Sequence, residues 1–387
     1  NLGLPIVYLY LALGLMISVG GVVIAGMALG SGDNRTCNSV FNQTMFTVIL
    51  LTVLLSIVVW FCLNPMLRVL HADGDVAVFF KDYYGIMLVQ LPVMVINSSY
   101  GMFIRGEGKP QYFMQVNILN VLLNIFLDYL FVRWFGWGVK GIALASLLAG
   151  AVTLVCILYF FLKKSTVYKL GRFEFSRMVC KDTLLNGSSE FIGEISLSIS
   201  MFAYNFVILR NIGIEGVTAF TIVGYIAFIF SMVTIGFGQG ASSLISFTYG
   251  AGERGLTKEV RRITNIMVLG AGAAVMLFVL GGSEWYGSLF VKNDTVVQMV
   301  RSGAGIYAFS FLFSGINVIN SFYFTSIGRA MESAVISSSR GLVLLLIFIF
   351  ILPPFLGMTG VWLVAPLTEV LTLFLGLFFI RKADSGA

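Results

Sequence analysis

Four carboxylates stand inside long apolar runs of this chain. Asp128 lies deep in the run 111–133, Glu190 and Glu194 lie in 184–209, and Glu369 lies midway along 359–380. An ionised carboxylate at the centre of a bilayer costs about 2.5–3.5 kcal/mol on insertion scales, so each one calls for a partner or a task. The task that suits such a group is to take up and release a small cation. Asn124 precedes Asp128 by one helical turn, which puts the amide and the carboxylate on one helix face. Ser146, eighteen residues beyond Asp128, falls in the next apolar run. An Asp beside an amide and a hydroxyl can bind H+ or Na+. It can equally serve as a hydrogen-bonding post that holds helices together. Glu190 and Glu194 are also one turn apart, so the two carboxylates compete for one proton. Glu194 is the better coupling candidate of the two. Glu190 falls nearer the end of its run, where it would face a cavity or the headgroups. Arg340 falls inside the run 332–353, and its natural partner is Glu369 on the next run. A structural ion pair is the expected role there, with a part in coupling as the alternative.

Other residues are candidates for contact with a substrate. The chain carries 35 Phe, 15 Tyr and 16 Met. Aromatic faces attract organic cations, and Met adapts to varied shapes. Tyr204 with Asn205, and Asn320 with Tyr323, are the candidate cavity residues. Catalysis is not expected. The single histidine, His71, stands beside Asp73 between two apolar runs and is expected to be solvated. The four cysteines have neither metal nor redox spacing. The turns Gly30-Ser-Gly-Asp33 and Gly250-Ala-Gly-Glu253 lack the Gly-Lys-Ser/Thr of a phosphate loop. No metal site and no resident cofactor are expected, only a coupling ion.

The elements that must carry these residues are membrane helices. Charged residues are 11% of the chain and apolar ones 58%, with a mean hydropathy of +0.95. A soluble domain needs roughly 25% charged residues. Apolar runs long enough for a bilayer of about 30 Å fall near 3–29, 41–63, 76–103, 111–133, 139–162, 184–209, 216–248, 261–281, 296–326, 332–353 and 359–380. Outer-membrane barrels, with segments of about ten residues of alternating polarity, are not expected. The net charge of +6 sits between the runs and sorts by side, so nucleic acid is not expected as a partner. With the basic loop 163–182 placed in the cytoplasm, the inner loops hold 16 Lys and Arg and the outer loops 7. That is the asymmetry of the positive-inside rule, and it places the carboxy terminus in the cytoplasm.

The sequence also nearly repeats at a spacing of about 220 residues. Gly20, Gly30, Gly32 and Asp33 are answered by Gly240, Gly250, Gly252 and Glu253. Gly108 is answered by Gly328, and Ile96-Asn97 by Ile316-Asn317. Gly138 and Gly141 are answered one residue out of step by Gly357 and Gly360. Asp128 has Phe348 as its counterpart, so an ion site there would be asymmetric. A repeat of this length in a hydrophobic chain reads as two transporter halves. The run 184–209 has no partner in the first half. The expectation is therefore an all-α, polytopic protein of two pseudo-symmetric six-helix bundles, with the first helix absent and eleven present. The bundles are expected at 1–162 and 183–387, joined by a cytoplasmic linker at 163–182 that lies along the membrane surface with Phe173 and Phe175 against headgroups, or is simply solvated.

Three segments carry a family resemblance. The first is Arg105-Gly-Glu-Gly-Lys-Pro-Gln-Tyr112, with Asn117 to Asp128 and Gly138-Val-Lys-Gly-Ile-Ala-Leu-Ala-Ser146 following. The second runs Gln239-Gly-Ala-Ser-Ser-Leu-Ile-Ser-Phe-Thr-Tyr-Gly-Ala-Gly-Glu253. The third is Phe324-Thr-Ser-Ile-Gly-Arg-Ala330, followed by Leu352-Pro-Pro-Phe-Leu-Gly-Met-Thr-Gly-Val-Trp362 and Ala365-Pro-Leu-Thr-Glu369. In order and spacing they resemble the multidrug and toxic compound extrusion (MATE) family, in its bacterial multidrug branch, without its first helix. The resemblance covers essentially the whole chain. It implies a V-shaped cavity between two bundles and export of organic cations, driven by entry of H+ or Na+. It implies that Asn124, Asp128 and Ser146 form the cation site, with Ser where Thr is commoner. It also implies a cavity carboxylate near Glu194, although the Pro usual near Ser188 or Ser189 is missing. Small-molecule drugs or toxins and membrane lipids are the expected partners, the plasma (inner) membrane the expected location, and a monomer the expected state. A flippase for lipid-linked oligosaccharides and a dedicated metabolite exporter are the alternatives. The flippase would favour a basic cavity, whereas the intramembrane charges here are mainly acidic.

Overall fold

The computed structural model describes residues 4–69, 75–171 and 173–385. His71, Asp73 and Arg172 lie outside the described residues. The apolar runs fold as helices α1 (Leu4–Gly30), α2 (Asn34–Val69), α3 (Asp75–Gly106), α4 (Pro110–Tyr129), α5 (Gly138–Tyr159), α6 (Arg177–Asn211), α7 (Ile214–Gly250), α8 (Arg254–Phe290), α9 (Asp294–Ala308), α10 (Ser310–Ser326), α11 (Ala330–Ser338) and α12 (Leu344–Ser385). No strand occurs among the described residues. Wider π turns extend α4 over Leu130–Trp134 and α5 over Phe160–Lys164, and join α11 to α12 over Ser339–Val343.

Among the described residues nine stretches are long and apolar enough to cross a bilayer unaided, and α9 with α10, bent by 45°, makes one more. The longest of the nine, Ala330–Asp384, is not straight, because α12 bends back within it. Gly357 has φ 58° and ψ −136°, a conformation open to glycine. Arg340 and Glu369 touch across this bend although 29 residues separate them. Along a straight helix that separation would be about 43 Å. Gly360 lies against the Leu352 carbonyl, where a Cβ would be only 2.6 Å from it.

The chain divides into two compact units, Asn1–Gly187 and Ser188–Ala387. In the first, α3 packs against α1, α2, α4 and α5. In the second, α10 packs against α7, α8, α11 and α12. The repeat is visible in the turns. Gly32 and Gly252 both have φ 80°, and Gly108 and Gly328 have φ 79° and 76°. Each closes its helix with the same bonds: Gly32 N–H donates to Leu29 O and Asp33 N–H to Ala28 O, while Gly252 N–H donates to Tyr249 O and Glu253 N–H to Thr248 O. Asp33 then caps α2, accepting from the Thr36 amide at 3.0 Å. The Thr36 hydroxyl and amide hold its carboxyl below the usual range.

The outer surface is apolar, as lipid requires. Phe61, Leu122, Phe126, Phe202, Phe374 and Phe378 are all exposed. The polar contacts are turned inward and toward the helix ends.

The linker lies flat on the first unit as a strap. Asn38, Asn42 and Gln43 on α2 each give and take a hydrogen bond with its backbone. Asn38 binds Val167 O and Lys169 N, Asn42 binds Lys169 O and Gly171 N, and Gln43 binds Ser176 O and N, all at 2.7–3.0 Å. Glu107 takes the Ser165 hydroxyl and the Thr166 amide at 2.6 Å. Tyr168 is fully buried between Phe41 and Phe103, 5.1 Å from each. Phe173 stacks on Phe46 at 4.2 Å, and Phe175 is exposed.

Candidate functional site

The Asp128 site is built by α4 and α5, with α3 beside it. Asn124 and Asp128 project from one side of α4, one turn apart. Asn124 Nδ2 donates to Ser146 Oγ on α5 at 3.3 Å. That bond uses the amide nitrogen of Asn124. Asp128 Oδ1 is buried and receives no hydrogen bond among the described residues. Tyr83 on α3 lies within electrostatic reach of the Asp128 carboxylate. Nothing in the sequence singles out Tyr83, because its proximity is set by packing between α3 and α4. The structure joins Asn124 to Ser146, while Asp128, one turn along α4, bonds neither of them and has no cationic partner among the described residues.

Glu369 is in a different condition. Arg340 donates to its Oε1 through Nη2 at 2.7 Å and Nε at 3.3 Å. Asn317 Nδ2 donates to its Oε2 at 2.7 Å and to its backbone carbonyl at 2.8 Å. Side-chain exposure is 28% for Arg340 and 10% for Glu369. The carboxylate is therefore fully committed on one side to a cation and on the other to an amide. Arg340 sits in the π turn between α11 and α12, and Ser200 of α6 donates its hydroxyl to the adjacent Gly341 carbonyl. Asn317 was legible only as half of the repeated Ile-Asn pair. Its first-half counterpart, Asn97, donates to the Gly150 carbonyl at 2.9 Å. Gly150 and Glu369 are equivalent by the offset of Gly138 and Gly357, so one helix-to-helix bond recurs in both units.

Glu190 and Glu194 share one side of α6, are half-buried, and lie close enough to repel each other. No ion pair to either occurs among the described residues. The adjoining face of α6 is committed to the second unit. Ser189 bonds Thr325 at 3.1 Å, and Ala203, Val207 and Ile208 pack with Ile349, Val361 and Val364. Tyr204 belongs to this packed face. It is 6% exposed and stacks on Phe220 at 4.4 Å. Asn205 beside it is half-buried. Asn320 is buried in α10 and accepts from Asn265 of α8 at 3.4 Å. Tyr323, one turn on, is buried beneath the guanidinium of Arg261, 4.7 Å from the ring centre. The candidate cavity residues Glu190, Tyr204, Asn205, Asn320 and Tyr323 are thus spread along α6 and α10 of the second unit. A hollow of about 600 Å³ between α8 and α9, lined by Trp285, Lys292 and Asp294 among others, contains none of them.

Two repeated helical units with an apolar outer surface make this a multi-pass membrane protein with the two-part build of a transporter. The chain belongs to the MatE family, whose profile matches residues 1–130 and 191–351. It is similar to the multidrug export protein MepA of Staphylococcus haemolyticus, with 20% identity over 382 residues that cover 98% of this chain and 84% of that protein. It is also similar to the probable multidrug resistance protein YoeA of Bacillus subtilis, 23% identical over 86% of this chain and 74% of that one. Among solved structures, a MATE protein in complex with MaL6 matches with a TM-score of 0.94 and 24% identity, covering 100% of this chain and 87% of the other. That likeness shows the fold.

Proposed function

We propose that this chain is a secondary active multidrug efflux antiporter, which exports organic cations or other amphipathic compounds in exchange for H+ or Na+. The observation that carries the reading is the buried, unpartnered Oδ1 of Asp128 beside the bonded Asn124 and Ser146. Like Glu190 and Glu194, Asp128 has no ion-pair partner among the described residues, and unlike them it stands one turn from an amide already bonded to a hydroxyl. A cation arriving from outside neutralises it, and the site then prefers the state that releases drug. One charge crossing 100 mV supplies about 2.3 kcal/mol, so ATP is not required. Glu194 is the second cation-handling group. Arg340 and Glu369 act as a structural pair. The relatives named for multidrug export and resistance support the substrate class. In this reading the protein works as a monomer in the plasma membrane with its carboxy terminus in the cytoplasm. It has no catalytic residue and no cofactor beyond the coupling ion.

The test is efflux of a cationic dye from energised cells expressing the full-length protein, against Asp128→Asn at matched expression. The proton and sodium gradients are collapsed separately. Loss of efflux in the variant, with dependence on one gradient, supports the antiporter and names its ion. Equal efflux in the variant makes Asp128 structural. A native protein that moves no dye removes polyspecific efflux and favours a dedicated metabolite or lipid-linked sugar as cargo.

A further inference from the structure

In the second unit, the counterpart of the strap pocket has changed its chemistry. Phe41 and Phe103, which enclose Tyr168 in the first unit, correspond at the 220-residue offset to Arg261 and Tyr323. Asn38 and Asn42, which bind the strap backbone, correspond to Lys258 and Arg262. The aromatic edge contact of Phe41 with Phe103, at 4.9 Å, has become a guanidinium over a phenol ring. A pocket built for an uncharged peptide has become cationic.

Arg261 is not satisfied by what surrounds it. Its Nε and Nη1 are buried and meet no hydrogen-bond acceptor among the described residues. Among the described residues its guanidinium lies over the face of Tyr323. A ring face offers no oxygen to these two nitrogens, so their capacity to donate stays unused. Lys258, Arg329 and Asp384 also lie within electrostatic reach of the Tyr323 hydroxyl. The one anion among them is already taken, since Asp384 pairs with Lys258 at 2.7 Å. That pair shows the pocket drawing in an acidic group beside the position where Arg261 lacks one.

We propose that Arg261, over Tyr323, is the anchor of a binding site for a phosphate-class oxyanion. The planar fork of a guanidinium matches two phosphate oxygens, and the buried Nε and Nη1 are the donors left to make that match. Arg261 stands seven residues into α8, about 10 Å along its axis. The phosphate of a lipid headgroup is one source of such an oxyanion. Free phosphate carries the same chemistry.

The test is thermal melting of the purified full chain in an uncharged detergent. Three probes are titrated separately: short-chain phosphatidylglycerol, inorganic phosphate, and diacylglycerol of the same chain length. Saturable stabilisation by phosphatidylglycerol is expected, with half-saturation shifted about tenfold or more in Arg261→Phe, which restores the first-half residue. Arg261→Lys, with charge but no fork, should fall between the two. Stabilisation by inorganic phosphate through Arg261 assigns a free oxyanion, and stabilisation by phosphatidylglycerol alone assigns the headgroup. Should Arg261→Phe fail to fold, Arg261→Gln takes its place. The site is overturned if neither phosphate probe stabilises the protein through Arg261, or if diacylglycerol does as well as phosphatidylglycerol. Dye efflux is not involved, so this result stands or falls apart from the transport reading.

Discussion

Removing the charge of Glu369 tests whether Arg340 depends on it. In Glu369→Gln the side chain keeps an oxygen for Asn317, so the amide bond at 2.7 Å can survive. What is lost is the acceptor of Arg340 Nη2 and Nε, at 2.7 and 3.3 Å. Exposed ion pairs couple by about 0.2–1 kcal/mol, while stripping one partner from a fully buried pair costs about 3–5 kcal/mol. Arg340 keeps 28% of its side chain exposed and Glu369 only 10%, so this pair falls between. A coupling energy of about 2 kcal/mol is expected. The assay is a double-mutant cycle with Glu369→Gln, Arg340→Met and the double variant, scored by reversible unfolding in mixed micelles. Glu369→Gln should destabilise the native protein by about 2 kcal/mol more than it destabilises the Arg340→Met protein. A coupling below about 0.5 kcal/mol would refute the claim that Glu369 is committed to Arg340. Glu369 would then become a free carboxylate and a competitor to Asp128.

Further substitutions test the fold. Tyr168→Ala empties the pocket between Phe41 and Phe103 and should cost about 3 kcal/mol, with the strap becoming sensitive to protease while the helices stay protected. Gly357→Ala puts a Cβ on a backbone at φ 58° and should destabilise by about 1–3 kcal/mol; native-like melting would mean that the hairpin does not need that conformation. Gly303→Ala drives a Cβ into the indole of Trp362, and a clear fall in melting temperature is expected, partly relieved by Trp362→Phe. Asn97→Ala and Asn317→Ala should each lower stability by about 1 kcal/mol for the lost carbonyl bond, and the loss at Asn317 should be larger because the Glu369 carboxylate loses a donor too.

The passes and the repeat were legible in the sequence because each depends on local composition. A run of apolar residues marks a span wherever it packs, and glycines 220 apart mark equal turns. Boundaries were read short. α2 begins at Asn34 rather than 41, and α8 runs over 254–290 rather than 261–281, because polar turns extend a helix past its apolar part. The bend at Phe309 carries no Pro or Gly signal. The strap was hidden because its partners are distant: Asn38 and Lys169 are 131 residues apart, and three amides on α2 look like ordinary polar residues until a backbone lies beside them. At the Asp128 site the spacing of Asn124 and Asp128 was readable from one helix. The approach of Tyr83 from another helix was not.

The twin bonds of Asn97 and Asn317 have one more property. Each is aimed at a main-chain oxygen, and a main-chain oxygen is indifferent to the side chain its residue carries. In the first unit that residue is Gly150, where a Cβ would stand 3.2 Å from Val93. In the second it is Glu369, which holds a charge network. The clasp between the two helices is the same in both. The two units therefore clasp their helices by one device while filling the place beside it in opposite ways, with no side chain against Val93 in one and a charged carboxylate in the other.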